Sequence, residues 1–219
     1  IAGAGDGSIS ASLDTVGGGL TKSGNGAWAL LASSSYSGDT TLTLGALRAG
    51  SNASFGTSAL KLNGGALTSD GATARAFANN VTFGGDVAFG AASTYTGALT
   101  FNGTVGLGAA ARTLTINSDV TFAGVVSDGG LTKAGNGVLT LSVANTHSGG
   151  TTLSAGTIRA GNDAAFGSLA TDALALNGGV LTSDGATARA FANNVTIGGD
   201  VALGAASTYT GALTFNGTV

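Results

Sequence analysis

The sequence predicts an all-β protein with the fold of a parallel β-helix, a solenoid of stacked coils that forms a single elongated domain. Three observations predict this fold class. Short segments of apolar, small polar and apolar residues recur along the chain, and this period-two alternation is typical of strands with one buried face. Asn or Gly follows most of these segments, and both residues suit tight bends. A long stretch of sequence also occurs twice, which indicates a repeat architecture.

The longest repeat runs from Leu62 to Val105 and returns at Leu176 to Val219. Three positions differ between the two copies, and each difference exchanges one apolar side chain for another. Core positions vary in this way when their volumes roughly compensate. The three differences are Ala66 to Val180, Phe83 to Ile197 and Phe89 to Leu203.

A second match, GGLTKSGNG at 18–26 and GGLTKAGNG at 129–137, has an offset of 111 residues, whereas the long repeat has an offset of 114. The three extra residues lie in SLATD at 168–172, which we expect to bulge from a loop without disturbing the coil register. The predicted divisions of this continuous solenoid are an entry segment at 1–17, a first unit at 18–128 and a second, truncated unit at 129–219.

The predicted strands share the apolar, small polar, apolar pattern and lie mostly one coil apart, at about 20 residues. They are Leu42–Leu44, Leu60–Leu62, Val81–Phe83, Leu99–Phe101, Leu114–Ile116, Leu139–Leu141, Leu153–Ala155, Leu174–Leu176, Val195–Ile197 and Leu213–Phe215. The residue that follows tolerates the left-handed conformation, so we expect a sharp bend there. These bend residues are Asn63, Asn102, Asn117, Asn177 and Asn216, or Gly45, Gly84 and Gly198. A further apolar column predicts a second strand after the bend, at Ala66, Val87, Val105, Val120, Val180, Val201 and Val219.

Antiparallel hairpins are the competing interpretation, because Asn-Gly and Gly-Gly are common hairpin turns. Similarity between segments one coil apart favours stacking of like on like instead, as in a β-helix.

Helix content should be small. The Ala-rich stretches at 71–80 and 185–194 alternate in a way that favours strand or loop.

Composition excludes several classes of protein. The 219 residues include 40 Gly, no Pro and no Cys, and all eleven acidic residues are Asp, which suits turns rather than helices. The eight Lys and Arg residues form no basic stripe, so no nucleic-acid partner is expected. The longest apolar run, 27–32, is too short to span a bilayer, so the chain is not expected to insert into a membrane. No basic region followed by an apolar run opens the sequence, so we expect no signal peptide in this stretch.

The stretch GGLTKAGNGVLTLSVANTHSGGTTLSAGTIRAG at 129–161 resembles the passenger-associated transport repeat of autotransporters, and 18–50 resembles it more loosely. The resemblance implies a bacterial passenger, usually a right-handed β-helix, that an outer-membrane β-barrel exports to the cell surface or the medium. No barrel segment is found here, and the sequence stops at Val219 in the middle of a unit. We therefore expect a fragment of a longer passenger.

The sequence offers little for catalysis, and we expect no catalytic, cofactor-binding or metal-binding residues and no cofactor. His147, the single histidine, stands where the first unit has Tyr36. It could be a general base or a metal ligand, but we interpret it as a solvated loop residue that stacks on a neighbour. The GAGDG segment at 3–7 resembles one calcium-binding nonapeptide but lacks tandem repetition. A polysaccharide-cleaving β-helix is the enzymatic alternative. Its candidate acids would be Asp70, Asp86, Asp119 and Asp128, spread singly over successive coils. Asp86 and Asp119 occupy bend positions, where Asp is expected, and Asp70 and Asp86 recur as Asp184 and Asp200, which favours a structural role.

The middle residues of the predicted strands should point outward as one threonine-rich column. They are Thr43, Lys61, Thr82, Thr100, Thr115, Thr140, Ser154, Ala175, Thr196 and Thr214. Glycan recognition, ice binding or lateral self-association could use such a column, although β-branched Thr suits any exposed strand face. Trp28, Tyr36, Tyr95 and Tyr209 are candidate sugar-stacking residues for which a scaffold role is expected.

The function expected from the resemblance is structural. The segment would support secretion and contribute to surface adhesion through a glycan or protein ligand, or through self-association. A polysaccharide-active enzyme and part of a secreted toxin are the alternatives.

Overall fold

A computed structural model of the chain describes residues 1–91, 93–167, 172–204 and 208–219. These residues form short β-strands and no helix. In chain order the strands are β1 Gly7–Ile9, β2 Leu20–Lys22, β3 Ala27–Leu30, β4 Thr40–Leu42, β5 Ala46–Ala49, β6 Leu60–Leu62, β7 Ala66–Ser69, β8 Arg75–Phe77, β9 Val81–Phe83, β10 Val87–Phe89, β11 Leu99–Phe101, β12 Val105–Gly106, β13 Ala111–Ile116, β14 Val120–Phe122, β15 Val126–Ser127, β16 Gly130–Ala134, β17 Val138–Leu141, β18 Thr151–Leu153, β19 Thr157–Ala160, β20 Leu174–Leu176, β21 Gly179–Ser183, β22 Arg189–Phe191, β23 Val195–Ile197, β24 Val201–Leu203 and β25 Leu213–Phe215.

The strands stack into parallel sheets that run along the solenoid as its faces. The ten-stranded face is ordered β1-β3-β5-β7-β10-β13-β16-β18-β20-β23, the seven-stranded face β24-β21-β19-β17-β14-β11-β8 and the six-stranded face β15-β12-β9-β6-β4-β2, and β22 pairs with β25. Partners along one face, such as Leu20, Thr40, Leu60 and Val81, are about 20 residues apart. The predicted parallel β-helix is confirmed, and the hairpin alternative is wrong. The ten-stranded face is about 45 Å long at the usual strand spacing.

The core is a continuous column of aliphatic and aromatic side chains inside the coils. Phe77 and Phe101 come from strands one coil apart, and their ring centroids lie 5.4 Å apart. Phe101 also contacts Phe122 at 5.8 Å and Phe89 at 5.6 Å. Like side chains therefore stack on like, as the repetition of apolar segments predicts. The Ala-rich stretches contribute strands β8 and β22, which confirms that they are not helical.

Two predicted strands have the wrong register. Strand β4 covers Thr40–Leu42 instead of Leu42–Leu44, and β18 covers Thr151–Leu153 instead of Leu153–Ala155. Thr40 pairs with Leu60 across the ladder, so Thr40 occupies the inward position that the alternation assigned to an apolar residue. Leu44 consequently lies beyond the strand and is 48% exposed.

The bends are confirmed, but the left-handed conformation lies elsewhere than predicted. Of the predicted bend residues, only Gly45 has a positive φ, at 74°. Among the described residues other than glycine, Asp128 alone has a positive φ. In two of the Asn bends, the residue with a positive φ is the glycine two positions after the Asn. These glycines are Gly65 after Asn63 and Gly179 after Asn177.

The two copies of the repeated sequence, called the first and second unit below, lie on different faces of the rod. The Leu-Thr-Lys motif forms β2 on the six-stranded face but β16 on the ten-stranded face. Strand β3 lies on the ten-stranded face, whereas its equivalent β17 lies on the seven-stranded face. Five coil steps separate β2 from β15 on the six-stranded face, and β16 then follows on the next face. The second unit is therefore rotated about the rod axis by one face.

Register is kept around the predicted insertion. Residues 168–171 lie outside the described residues, so the predicted bulge is not seen, but Asp172 is described and buried. Leu174 pairs with Thr151 as Leu60 pairs with Thr40. The sheets also run unbroken from β13 to β16 across residues 128 and 129, so the division into two units there stays a prediction.

Candidate functional site

Carboxylates and side-chain amides at the corners join each coil to the next. The Oδ1 atom of Asp86 accepts a hydrogen bond of 2.8 Å from the backbone N–H of Thr113, one coil further on. Asp119 accepts one of 3.2 Å from Val138 N–H. The same bond joins Asp6 to Ala27, Asn52 to Ala76, Asn80 to Thr104, Asp163 to Ala190 and Asn194 to Thr218. The turn role predicted for Asp86 and Asp119 is confirmed, and Asp6 of the GAGDG segment performs it as well.

The remaining candidate acids do not converge on one place. Asp70 forms an ion pair with Arg75 at 2.9 Å, and its equivalent Asp184 pairs with Arg189 at 2.8 Å. Asp128 stands at a left-handed bend with φ 63° and accepts a hydrogen bond from Ser127. Asp200 is exposed. Within the described ranges no group of three or more His, Cys, Asp or Glu side chains is arranged to hold a metal ion.

Two buried lysines were missed by the sequence analysis. Lys22 and Lys133 have no solvent exposure, although neither forms a salt bridge in the described part of the chain. The Lys133 Nζ atom donates to the carbonyl oxygens of Gly135 at 2.6 Å, Ala155 at 2.8 Å and Ala134 at 3.1 Å. Burial lowers the pKa of Lys133 to about 8, and the charge of Asp119 opposes that shift. The signal was present, since Lys takes the second apolar position in Leu-Thr-Lys, which faces inward.

Lys22 makes the equivalent contacts one unit earlier. Its Nζ atom donates to Gly24 O in its own coil and, at 3.0 Å, to Leu44 O in the next coil. Burial also lowers the pKa of Lys22, while the charge of Asp6 raises it.

His147 is buried, so the prediction of a solvated loop residue is wrong. Its Nε2 atom lies 2.8 Å from Thr151 Oγ1, and its Nδ1 atom has no hydrogen-bond partner among the residues that the structure describes. Tyr36 is equally buried and forms the equivalent hydrogen bond, 2.5 Å long, from its hydroxyl to Thr40 Oγ1. Burial lowers the pKa of His147, and the charge of Asp172 and the backbone of Val126 act in the opposite direction. This pair of residues fills one internal space in the two units.

The other candidate aromatics also have scaffold contacts. The guanidinium of Arg48 stacks 3.9 Å from the ring centroid of Tyr95, and Arg159 stacks 3.8 Å from that of Tyr209. Each tyrosine thereby holds the loop that carries it against the outside of a sheet, where Thr68 and Thr182 are buried. Trp28 donates from Nε1 to Gly5 O at 3.2 Å.

The outward direction of the threonine-rich positions is confirmed, but a single column is wrong because the coil places them on different faces. Thr100 and Thr140 lie in a ladder with Thr121 on the seven-stranded sheet, and two further ladders lie on the other two faces. The first threonine face, on the six-stranded sheet, consists of Thr21, Thr41, Lys61 and Thr82. The second threonine face, on the ten-stranded sheet, consists of Thr113, Thr132, Thr152, Ala175 and Thr196.

The chain thus belongs to the class of parallel β-solenoids, with side chains at the corners that join successive coils and with an internal sequence repeat. Residues 20–49 and 131–160 match the model of the passenger-associated-transport-repeat family. The chain is also 33% identical over 199 residues to the adhesin BmaC autotransporter of Brucella suis biovar 1 (strain 1330). That match covers 83% of this chain and 5% of the relative. No solved structure matches.

The chain is a β-helical autotransporter passenger segment with two passenger-associated transport repeats. Proteins of this class reach the cell surface or the medium by export through the outer membrane. In the part of the chain that the structure describes, no helix has the length and hydropathy needed to cross a bilayer.

Proposed function

We propose that this chain is a structural segment of a surface adhesin, which extends the passenger from the cell and contributes exposed faces to adhesion or self-association. The observation that carries the proposal is the use made of its polar side chains. Asp and Asn side chains bond to the backbone of the next coil, the internal lysines bond to carbonyls, and Tyr95 and Tyr209 hold covering loops. Such a distribution suits a rod whose coils must remain stacked.

The threonine faces are the surfaces best suited to contact a partner. Their side chains reach solvent: Thr21, Lys61, Thr82 and Thr196 are exposed and the other members are half-buried. The partner would be a glycan or protein on a host or bacterial surface, or a second copy of the passenger. Because the units are rotated by one face, the two ladders point in different directions and could contact partners on two sides.

Stepwise folding outside the cell would support secretion. Each coil pairs with its immediate neighbours along the ladders, so folding can nucleate locally and propagate along the rod. A chain that leaves the outer membrane end first could add coils in turn, and each added coil would oppose backsliding.

The arrangement of acids favours a scaffold over a polysaccharide-cleaving enzyme. Glycosidases use two carboxylates about 5–10 Å apart that flank the scissile bond. Here Asp86 and Asp119 bond to backbone N–H groups, and Asp70 and Asp184 pair with arginines. We expect no release of reducing or unsaturated ends from pectic, glycosaminoglycan or alginate-like substrates, with or without calcium. Release that is lost in Asp70→Asn or Asp184→Asn variants would overturn the scaffold proposal.

Adhesion is tested in the full passenger displayed on bacteria. The double variant Thr132→Lys/Thr152→Lys puts charge on the second threonine face, and Thr21→Lys/Thr41→Lys makes the matched change on the first face, which already contains Lys61. We expect charge on a contacting face to lower cell adhesion or aggregation at least tenfold at equal surface level. Deletion of whole coils should lower adhesion even if neither face makes contact, because the rod becomes shorter. Unchanged adhesion in all three variants would contradict the proposal.

A further inference from the structure

We propose that the lysine of each transport repeat is a cationic clasp that fixes the register of one coil on the next. In this role Lys22 joins the coil of β2 to the coil of β4, and Lys133 joins the coil of β16 to the coil of β18. Its consequence for secretion rests on the proposed export role, but the clasp itself concerns folding and requires no adhesive partner.

The first argument is the origin of the carbonyl oxygens that surround the ammonium. Lys133 bonds to Gly135 O two residues further along its own coil and to Ala155 O in the following coil. Lys22 repeats this arrangement with Gly24 O and Leu44 O. One side chain thus binds two successive coils at once, and the geometry occurs in both units although they lie on different faces.

The second argument is the glycine that the next coil places beside each ammonium. Gly45 and Gly156 have φ values of 74° and 69°, which side chains rarely adopt. A Cβ at Gly156 would lie 2.5 Å from Lys133 Nζ and 2.3 Å from Gly135 O, and a Cβ at Gly45 would lie 2.6 Å from Lys22 Nζ. The lysine, the glycine two residues after it and the glycine of the next coil therefore form one cluster, which explains why these residues recur together in the repeat.

The third argument is the energetic penalty for an incorrect register. A buried charge is very unfavourable unless its environment supplies hydrogen bonds. The carbonyls that the next coil supplies lie at its bends, at Leu44 and Ala155. A slip by one residue would move each bend and its carbonyl away from the ammonium, and it would bring inward side chains to the surface. A correctly stacked coil completes the hydrogen bonds of the ammonium, whereas a slipped coil removes the carbonyl that the next coil supplies and leaves only those of the lysine's own coil. The clasp thus selects the register by penalising the alternatives.

The test compares Lys22→Met with Lys133→Met in the purified chain by amide hydrogen exchange. We expect Lys133→Met to speed exchange in 151–160 at least tenfold and leave 40–49 unchanged, and Lys22→Met to do the reverse. Lys61→Met, which removes the exposed lysine, is the matched control and should change neither region. Unchanged exchange in both regions, or the same loss along the whole rod in both variants, would overturn the proposal.

If a variant does not fold, the proposal can still be tested in the wild-type chain. The sequence contains three lysines, so each ammonium group can be followed separately by nitrogen NMR. We expect the ammonium protons of Lys22 and Lys133 to exchange slowly with water and those of Lys61 to exchange rapidly. Three rapidly exchanging ammonium groups would overturn the clasp. Both readouts report on folding alone, so loss of adhesion in the displayed passenger neither supports nor weakens them.

Discussion

The two units contain nearly the same sequence on two different faces of the rod. Comparing them shows which contacts between adjoining coils are present in both units and which surface side chains differ. Lys22 and Lys133 make the same internal contacts, and the ion pair of Asp70 with Arg75 returns as that of Asp184 with Arg189. These contacts survive rotation of the unit by one face, because they depend only on the adjoining coils.

The units differ where side chains point outward or fill a loop. In the first unit Asp39 forms an ion pair with Lys61, at 2.6 Å, beside the first threonine face. The equivalent residues of the second unit are Gly150 and Ala175, so that ion pair has no counterpart there. In the internal space beside Thr40 or Thr151, Tyr36 of the first unit is replaced by His147 in the second. The contacts between adjoining coils are therefore the same in both units, whereas a surface charge and one internal side chain differ.

The largest expected effect compares equivalent phenylalanines in the two units. Phe101 is fully buried and contacts three other rings, whereas Phe215 is half-buried and contacts Phe191 at 5.7 Å. Phe101→Ala should lower the free energy of unfolding by about 3–5 kcal/mol, and Phe215→Ala by about 1–2 kcal/mol. Urea unfolding followed by circular dichroism measures both. Equal losses would mean that the two coils are packed alike.

Acid should destabilise the second unit through His147. Burial lowers its pKa below the ordinary 6.5, so the unfolded chain binds the proton more strongly than the folded chain. Stability from this group is therefore complete above about pH 6.5 and is lost as the pH falls, by at most about 1.4 kcal/mol per pH unit. Hydrogen exchange in 151–160 at pH 7 and pH 5, corrected for intrinsic rates, measures the loss.

The matched control for this acid effect is His147→Gln, which keeps a donor for Thr151 but cannot take up a proton. Asp172 remains in that variant, so acid effects of the carboxylates stay the same. The part of the acid-induced loss of stability that is absent in His147→Gln is due to protonation of His147. The region around Tyr36 should show no such loss, and an unchanged acid response in His147→Gln would refute the assignment.

The sequence predicted the fold because its pattern depends on local rules. Inward apolar residues such as Leu60 and Leu62, and bends at Asn or Gly, follow from period-two alternation and turn chemistry. The register of β4 was wrong because Leu44 and Thr40 depart from the alternation, and pairing with β6 decided between the possibilities. The buried lysines and His147 were missed because their partners are backbone carbonyls or hydroxyls. The rotation of the second unit could not be predicted from the sequence, because it depends on the number of coils in a unit. That number is known only once the pairing of the strands is known.

The covering loops provide a smaller and symmetric test. Tyr95→Ala and Tyr209→Ala each remove a ring that stacks on an arginine, at 3.9 and 3.8 Å respectively. Such cation–π contacts contribute about 0.5–1 kcal/mol at partly exposed sites, and we expect a loss of that size in each variant. Hydrogen exchange near Thr68 and Thr182 should rise in the corresponding variant. A phenylalanine at either position is the control and should retain most of the stability, because the ring remains.

The smallest expected effect is that of the ion pair found in one unit alone. The hydrogen bond from Lys61 lowers the pKa of Asp39, but the lysine side chain is 47% exposed, and exposed pairs contribute little after screening and loss of side-chain entropy. Lys61→Ala should therefore change the free energy of unfolding by less than about 0.5 kcal/mol, and the change should vanish in high salt. Ala175→Lys should be neutral as well, since Gly150 supplies no carboxylate and has a φ of 76° that Asp39 does not share. Urea midpoints at low and high salt measure both. A loss above about 1 kcal/mol for Lys61→Ala would show that this pair joins coils and is not merely a surface difference between the units.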